Sequence, residues 1–285
     1  MKKIILAPLT KGRILFIVYI SLLFGEFMIC PLCKKPLEKK GKSYLCPSAH
    51  CFDLAKQGYV NLLSVKEKSS LDPGDNKEMI LSRRKVLDRG YYRVIGDKIK
   101  EILEKIAPKK VLDLGCGEGR IIRYLLDDKI EFFGVDISKH ALQSASALDK
   151  KSTYAVSSVT SLPFEDGYFD LIINAFAPLK ETEGKRVLKE GGYLIKITPA
   201  PYHLYQLKEA IYPSPYLNPE TEGIEGFTLV EEWILEDVFQ ASGEVLDSLL
   251  QMTPYFYKTP PHLLEKVKGA TIATRLSYCL RLYQK

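Results

Sequence analysis

Val111-Leu112-Asp113-Leu114-Gly115-Cys116-Gly117-Glu118-Gly119, followed by Phe132-Phe133-Gly134-Val135-Asp136, is the stretch that decides the fold. A short apolar strand runs into three glycines at alternate positions and then into a helix, whose first amide groups face any bound ligand. A second apolar strand ends in Asp136, 17 residues after Gly119, where a carboxylate can accept both hydroxyls of a ribose. Outward from this stretch, strand and helix patterns alternate. Apolar strands are expected over residues 110–114, 131–135, 153–157, 169–174 and 192–198. This alternation predicts an α/β fold built on a doubly wound parallel sheet.

The glycine spacing narrows the nucleotide. Dinucleotide folds place glycine at offsets zero, two and five, but offset five from Gly115 is Arg120. Glycines at offsets zero, two and four, preceded by Asp113, resemble the S-adenosylmethionine loop of the Rossmann-like class I methyltransferases. Such a loop admits a methionine moiety and a ribose by close backbone approach, and the upstream acid receives the amino group. Asp113, Gly115, Gly117, Glu118, Gly119, Arg120, Ile121 and Asp136 are the residues expected around that cofactor.

The stretch from Ser161 to Ile173 resembles the approach to the fourth strand of the same class. Four residues before Leu162, where an acid usually receives the adenine amino group, stands Ser158, so adenine recognition is expected to lean on backbone groups. Asn174-Ala175-Phe176-Ala177-Pro178 follows the fourth strand, at the edge where methyl acceptors sit in that class. Lys189 to Leu194 reads as the turn before the fifth strand.

A second signal lies upstream. Cys30-x2-Cys33-x12-Cys46-x3-His50 has the spacing of a closed tetrahedral zinc site, structural rather than catalytic. Cys51 adjoins His50, and the spacing alone leaves it open as the fourth ligand. A module of about 35 residues is too small to bury its own core, so the metal would hold it folded. The other two of the six cysteines, Cys116 and Cys279, read as reduced and structural, and the expected compartment is the cytoplasm.

With 285 residues, 46% hydrophobic and 27% charged, the chain has room for one large and one small globular domain and does not have the composition of a disordered chain. The net charge of +6 is uneven. Lys34, Lys35, Lys39, Lys40 and Lys42 cluster, and Arg83, Arg84, Lys85, Arg89 and Arg93 follow. These favour an anionic partner such as nucleic acid, with solvated basic faces as the alternative.

Residues 1–27 carry an apolar run at 14–24 that is too short to span a bilayer as a helix, and no membrane association is expected. They read as an extension upstream of Met28, produced by a misplaced start codon. The domain division expected is 28–64 for the zinc module, 65–110 for a helical linker and 111–285 for the cofactor domain. After residue 200 a segment rich in proline, tyrosine and glycine is expected to lead into a helix near 236–251 and then two final strands. Tyr202, Tyr205, Tyr212, Tyr216, Tyr255, Phe256 and Tyr257 there suit either base stacking or loop anchoring.

Residues 28–285 as a whole resemble one family, the bacterial 23S rRNA guanine-N1 methyltransferases with an N-terminal zinc module. The resemblance rests on Cys30-Pro31-Leu32-Cys33, the stretch Phe52 to Leu63, and Asp72-Pro73-Gly74-Asp75. It continues through Ala177-Pro178, Thr198 to Leu204, Glu225-Gly226-Phe227 and Gln251-Met252-Thr253-Pro254. It implies His50 as the fourth zinc ligand, Tyr92 and His203 as cofactor contacts, and serine at Ser158. Without it, His203 reads as an ordinary surface histidine.

The implied reaction moves a methyl group from S-adenosylmethionine to N1 of a guanine in a 23S rRNA hairpin, and the family also implies a homodimer. No catalytic base stands out; Glu181 and Glu183 read as solvated helix acids. A small-molecule methyltransferase and a non-catalytic RNA-binding protein are the alternatives.

Overall fold

The computed structural model describes residues 28–64 and 74–285. The apolar run at 14–24 with its start-codon reading, and the polar segment 65–73, lie outside the described residues. The cysteine-rich segment forms a three-stranded antiparallel sheet of β1 (Glu38–Lys40), β2 (Ser43–Leu45) and β3 (Cys51–Asp53). It then extends into β4 (Val60–Asn61), which belongs to a different, larger sheet.

Two helices follow, α1 (Lys77–Leu87) and α2 (Arg93–Ile106), within the stretch expected to be helical. Asn76 starts α1 by accepting the Met79 N–H, and Ala107 ends α2 in left-handed geometry, with φ 48°. The alternation then runs β5 (Lys110–Leu114), α3 (Arg120–Leu125), β6 (Glu131–Asp136), α4 (Lys139–Leu148) and β7 (Thr153–Val156). It continues with β8 (Phe169–Ala175), α5 (Glu181–Val187), β9 (Leu188–Pro199) and α6 (Tyr205–Ile211). Two long strands, β10 (Thr228–Ser242) and β11 (Thr271–Gln284), close the chain with α7 (Gly243–Gln251), α8 (Pro254–Lys258) and α9 (Pro261–Leu264) between them.

The large sheet has the order β10-β11-β9-β8-β5-β6-β7-β4. Every neighbouring pair from β9 to β4 is parallel, and β11 is antiparallel to both β9 and β10. The winding reverses between β5 and β8, so the carboxyl ends of these strands open the crevice in which sheets of this kind bind ligands.

Two expectations need correction. The strand expected at 192–198 is the latter part of β9, and the turn expected before it is an excursion within that strand. Phe169 pairs with Leu188 and Leu171 with Tyr193, leaving Gly191 (φ 72°) and its neighbours looped out. The helix expected over 236–251 begins only at Gly243. Leu235 and Phe239 are four residues apart and mimic a helical stripe. In the structure, Leu235, Phe239 and Ala241 alternate toward the core of a strand paired with β11 along its length, while Ile234 and Val238 are exposed. Strand partnership overrides local spacing here. The two final strands flank the helices and do not follow them.

Each face of the sheet carries its own core. Val111, Phe132, Ile173 and Ile195 pack with Ile95, Ile99 and Ile122 of the helices, while Leu112, Leu114, Phe133 and Ile172 at the alternate positions pack with Met28, Leu37 and Tyr44 of the cysteine-rich module. The crossover from β7 to β8 contains no helix, and the module covers that face instead. Ile29 N–H donates to the Pro163 carbonyl at 3.0 Å, and Met28 bridges Phe164. No helix among the described residues is long and apolar enough to cross a membrane.

Candidate functional site

The turn after β5 follows a path that only glycine allows at two points. Gly115 (φ 81°) faces Ala177 so closely that a Cβ would collide with it, and a Cβ on Gly119 (φ 67°) would strike the Tyr154 hydroxyl. The turn borders a cavity of about 740 Å³ at the reversal of the sheet. Every residue expected around the cofactor lines this cavity except Gly119, which stands behind it and lets α3 pack against the sheet.

Two acids define its floor. Asp136 accepts the Gly117 N–H and the Ser138 N–H, one on each carboxylate oxygen and each at 2.8 Å, which leaves each oxygen further acceptor capacity for a hydroxyl. Asp113 is 1% exposed, and its Oδ2 has no hydrogen-bond partner. Burial, reinforced by the Asp136 charge, pushes its pKa up to about 8. An orphaned buried acceptor costs about 1–3 kcal/mol. A ligand ammonium removes that cost and restores the carboxylate, which fits the amino end of S-adenosylmethionine.

The remaining wall is built by pairing. Glu118 is 6% exposed and held by the Arg84 guanidinium, whose Nε lies 3.1 Å from Oε1. Arg120 is paired with Asp88. The Ser158 hydroxyl is engaged locally, with the Thr160 hydroxyl at 2.7 Å and the Thr160 N–H at 3.2 Å, so it holds its own loop.

His203 is not on the surface, which corrects the reading it has without the family resemblance. It is 6% exposed, its Nδ1 accepts the Ser277 N–H at 3.2 Å, and its Nε2 lies 3.0 Å from the Tyr91 hydroxyl. Accepting at Nδ1 puts the ring proton on Nε2, which donates to Tyr91. Burial pushes its pKa down to about 4, so the ring is neutral at pH 7.

The loop after β8 shows backbone strain. Phe176 has φ 55°, its ring stacks on Tyr92 with centroids 5.3 Å apart and planes 21° apart, and it lines the cavity. Asn174, fully buried, donates to the Leu114 carbonyl at 2.8 Å, and Lys196 donates to the Ala177 carbonyl at 2.9 Å. Opposite lies the proline-rich segment at 212–218. Lys208, fully buried, donates to the Tyr216 carbonyl at 2.9 Å and to Asn218 Oδ1 at 2.8 Å, and burial pushes its pKa down to about 8. Tyr212 bonds Thr259 and Tyr255 is buried, so these two tyrosines anchor loops, whereas Tyr216 is exposed beside the cavity.

The zinc ligands come together from two turns. The Sγ atoms of Cys30, Cys33 and Cys46 and a ring nitrogen of His50 all lie within 4.8 Å of one another. The Cys46 Sγ lies 3.3 Å from His50 Nδ1, and the Cys33 and Cys46 sulfurs are 3.5 Å apart. Cys51 is outside the cluster, exposed and directed at Asp53, which settles the choice the spacing left open. Each turn contains one residue forced into left-handed backbone, Lys34 (φ 59°) and Ala49 (φ 61°), which closes it onto Cys30 O and Cys46 O. The Lys35 backbone N–H holds the Cys33 thiol down, to about 6, while burial pushes Cys30 up. A compact soft-ligand set with one imidazole fits a closed zinc site.

The basic segments divide. Arg83 pairs with Asp75 and Arg84 with Glu118, so two of the five cations at 83–93 serve the fold around the cavity, while Lys85 pairs with Glu244 on the exposed surface. Arg89 and Arg93 are exposed, as are Lys35, Lys39 and Lys42 on the zinc module. Glu183 is not a free helix acid: it accepts the Leu162 N–H at 2.7 Å and pairs with Arg186. Arg84, Tyr91, Phe176, Lys208 and Asn218 are the site residues that sequence reasoning does not assign. Only Phe176 carries a usable signal, as the aromatic in the loop after the fourth strand.

A parallel sheet with this turn, an unpaired buried acid at its floor and a Cys3His ribbon packed on one face define an S-adenosylmethionine-dependent class I methyltransferase with a structural zinc. Residues 28–71 match the zinc-ribbon family described as RlmA, N-terminal, and residues 112–196 match a methyltransferase domain family. A 23S rRNA (guanine(748)-N(1))-methyltransferase of Streptomyces fradiae is 33% identical over 193 residues, covering 65% of this chain and 68% of that protein. A putative 23S rRNA (guanine-N(1)-)-methyltransferase of Bacillus subtilis is 32% identical over 268 residues, covering 85% of this chain and 92% of that protein. The solved structure of a putative methyltransferase from Bacillus halodurans is 19% identical with a TM-score of 0.45, over 65% of this chain and 98% of that one. The chain belongs to the 23S rRNA (guanine-N1)-methyltransferase family.

Proposed function

We propose that this protein transfers a methyl group from S-adenosylmethionine to N1 of a guanine in a hairpin of 23S rRNA. The observation that carries this reading is the pairing, in one chain, of the family's zinc ribbon with a cavity whose buried acid lacks a partner. The sulfonium of the bound cofactor supplies an electrophilic methyl. Asp113 receives its ammonium and Asp136 its ribose hydroxyls. Tyr92, Gly115, Gly117, Glu118, Arg120, Ile121, Ser158 and His203 complete the cofactor wall, and Gly119 sets the path of the turn. Cys30, Cys33, Cys46 and His50 hold the zinc.

Guanine N1 is hidden in a paired helix and protonated at neutral pH. The base must come from a loop or be extruded, and its proton must leave. Of the carboxylates that line the cavity, Asp75 is engaged with Arg83, Glu118 with Arg84 and Asp136 with two amides, and Asp113, unpartnered here, would be taken by the cofactor amine. No residue is assigned as base. Holding the acceptor close and in line with the methyl supplies much of the rate.

Exposed Lys35, Lys39, Lys42, Arg89 and Arg93 suit phosphate contacts that give affinity, while hairpin shape gives selection. The reading takes 28–64 as the rRNA-recognition module, 65–110 as its helical connection and 111–285 as the catalytic domain, acting in the cytoplasm as a homodimer, as the family resemblance implies.

Primer extension across 23S rRNA tests this reading, because a methyl on guanine N1 blocks pairing and stops the polymerase. A stop that vanishes on gene deletion and returns with purified protein and S-adenosylmethionine is expected. A small-molecule acceptor, or a binding role without turnover, leaves the two traces identical.

A further inference from the structure

The loop after β8 holds an aromatic ring, packed on one side and open to the cavity, on a strained backbone. Phe176 adopts φ 55°, a conformation that costs a bulky residue about 1–3 kcal/mol and persists only where the surroundings enforce it. They do enforce it. The Phe176 N–H donates to the Ile197 carbonyl at 3.0 Å, Asn174 ties the loop to Leu114 at 2.8 Å and to Pro178 at 3.3 Å, and Lys196 grips Ala177 at 2.9 Å. All this fixes a large apolar ring that remains 37% exposed at the cavity. Tyr92 backs the ring at 5.3 Å in a nearly parallel stack, and Tyr278 braces it at 5.6 Å.

We propose that the open surface of Phe176 is the platform on which the target guanine stacks after leaving its helix, with Tyr92 as the backing ring. This rests on the guanine-N1 reading above and adds the residue that positions the acceptor. The N1 lone pair that must meet the methyl lies in the plane of the base, so a clamp has to grip the faces and leave the edge free. A flat aromatic wall does that, whereas a hydrogen bond at N1 itself would block it. Stacking tolerates any base, so Phe176 positions the acceptor and the choice of guanine lies elsewhere. Enforced strain also means the platform is in place before RNA arrives.

The test uses the full-length protein, a synthetic 23S rRNA hairpin and two substitutions. Phe176→Leu keeps apolar volume without a flat face, and Phe176→Trp keeps the face. Single-turnover methylation at saturating S-adenosylmethionine should fall about 10- to 100-fold in Phe176→Leu and stay within about threefold of the parent in Phe176→Trp. Calorimetric affinity for S-adenosylmethionine should be unchanged in both. A hairpin with 2-aminopurine at the methylated position should lose its binding-induced fluorescence change in Phe176→Leu only.

Unchanged turnover in Phe176→Leu overturns the proposal. A rate loss matched by an equal loss of cofactor affinity also overturns it, because the ring would then belong to the cofactor site. Equal defects in Phe176→Leu and Phe176→Trp would mean that the loop and not the ring face matters. If the parent protein binds S-adenosylmethionine yet methylates no guanine in the hairpin, the functional reading fails and the platform fails with it; a parent that methylates alongside a fully active Phe176→Leu sinks the platform alone.

Discussion

The zinc ribbon and the cofactor cavity solve opposite problems. In the ribbon four side chains converge within 4.8 Å, every turn is closed onto its own ligands, and Met28, Leu37 and Tyr44 beneath are buried against the sheet. The cavity is lined by groups held short of their preferred state: a carboxyl without a partner at Asp113, a strained Phe176 and a neutralised His203. One region supplies stability and the other spends it, and the two share the loop at 157–163. Site chemistry of this kind is tolerated because a well-packed neighbour carries it.

The largest effect expected comes from breaking the stable half. Cys46→Ala should abolish zinc retention and unfold the ribbon, since a structural zinc carries about 10 kcal/mol or more of folding free energy in small modules. Because Ile29 and Lys34 hold Pro163 and Ser161, beside Ser158 of the cavity wall, cofactor affinity should fall with it. Calorimetric titration of S-adenosylmethionine into zinc-free protein checks this, and intact affinity would show that the two regions are independent after all.

The next effect is on pH. The folded pKa of His203 is about 4, below the ordinary 6.5, so between those values the unfolded chain takes up a proton that the folded chain refuses. Its contribution is therefore full above pH 6.5 and falls as pH drops through 4, by about 3 kcal/mol. Urea denaturation of the parent and of His203→Gln at both ends of that window should show the difference narrowing at acid pH.

A smaller effect is expected at Asp113. Asp113→Asn should weaken S-adenosylmethionine binding by about 2 kcal/mol, roughly 30-fold, while leaving the free protein nearly as stable, because its carboxyl is already neutral there. In the parent, affinity should rise with pH up to about pH 7, approaching tenfold per unit as the carboxyl loses its proton to meet the ammonium, and level off near pH 8 where the ammonium loses its own; the variant should lack this rise. A variant melting far below the parent would make Asp113 a structural residue instead. The smallest effect is at the seam: Lys34→Ala removes an exposed bond to Ser161 at 3.0 Å and should cost no more than about 0.5 kcal/mol in thermal unfolding.

What the sequence reveals follows the same division. The glycine turn, the zinc spacing and the parallel strands are local signals, written in a few adjacent residues, and they are legible there. Arg84 looks like one more surface cation because its partner Glu118 is 34 residues away, and only the folded chain brings them together. Apart from the family resemblance, His203 is silent for the same reason, with Tyr91 and Ser277 as its partners from distant segments. The helix expected at 236–251 misleads because β10 takes its identity from β11, which follows it in the chain.

The seam between ribbon and sheet also has a history in time. The ribbon is made first, but β4 cannot pair until β7 exists, and Ile29 waits for Pro163, 134 residues later. At ordinary rates of synthesis that interval lasts on the order of ten seconds. Throughout it, the apolar underside of the ribbon has no sheet to cover. A nascent chain that captures zinc early would pass through this interval with a compact, ordered ribbon. One starved of metal would carry the same uncovered residues without ordered turns, so zinc bound during translation would set whether the ribbon is already folded when β7 arrives to pair with β4.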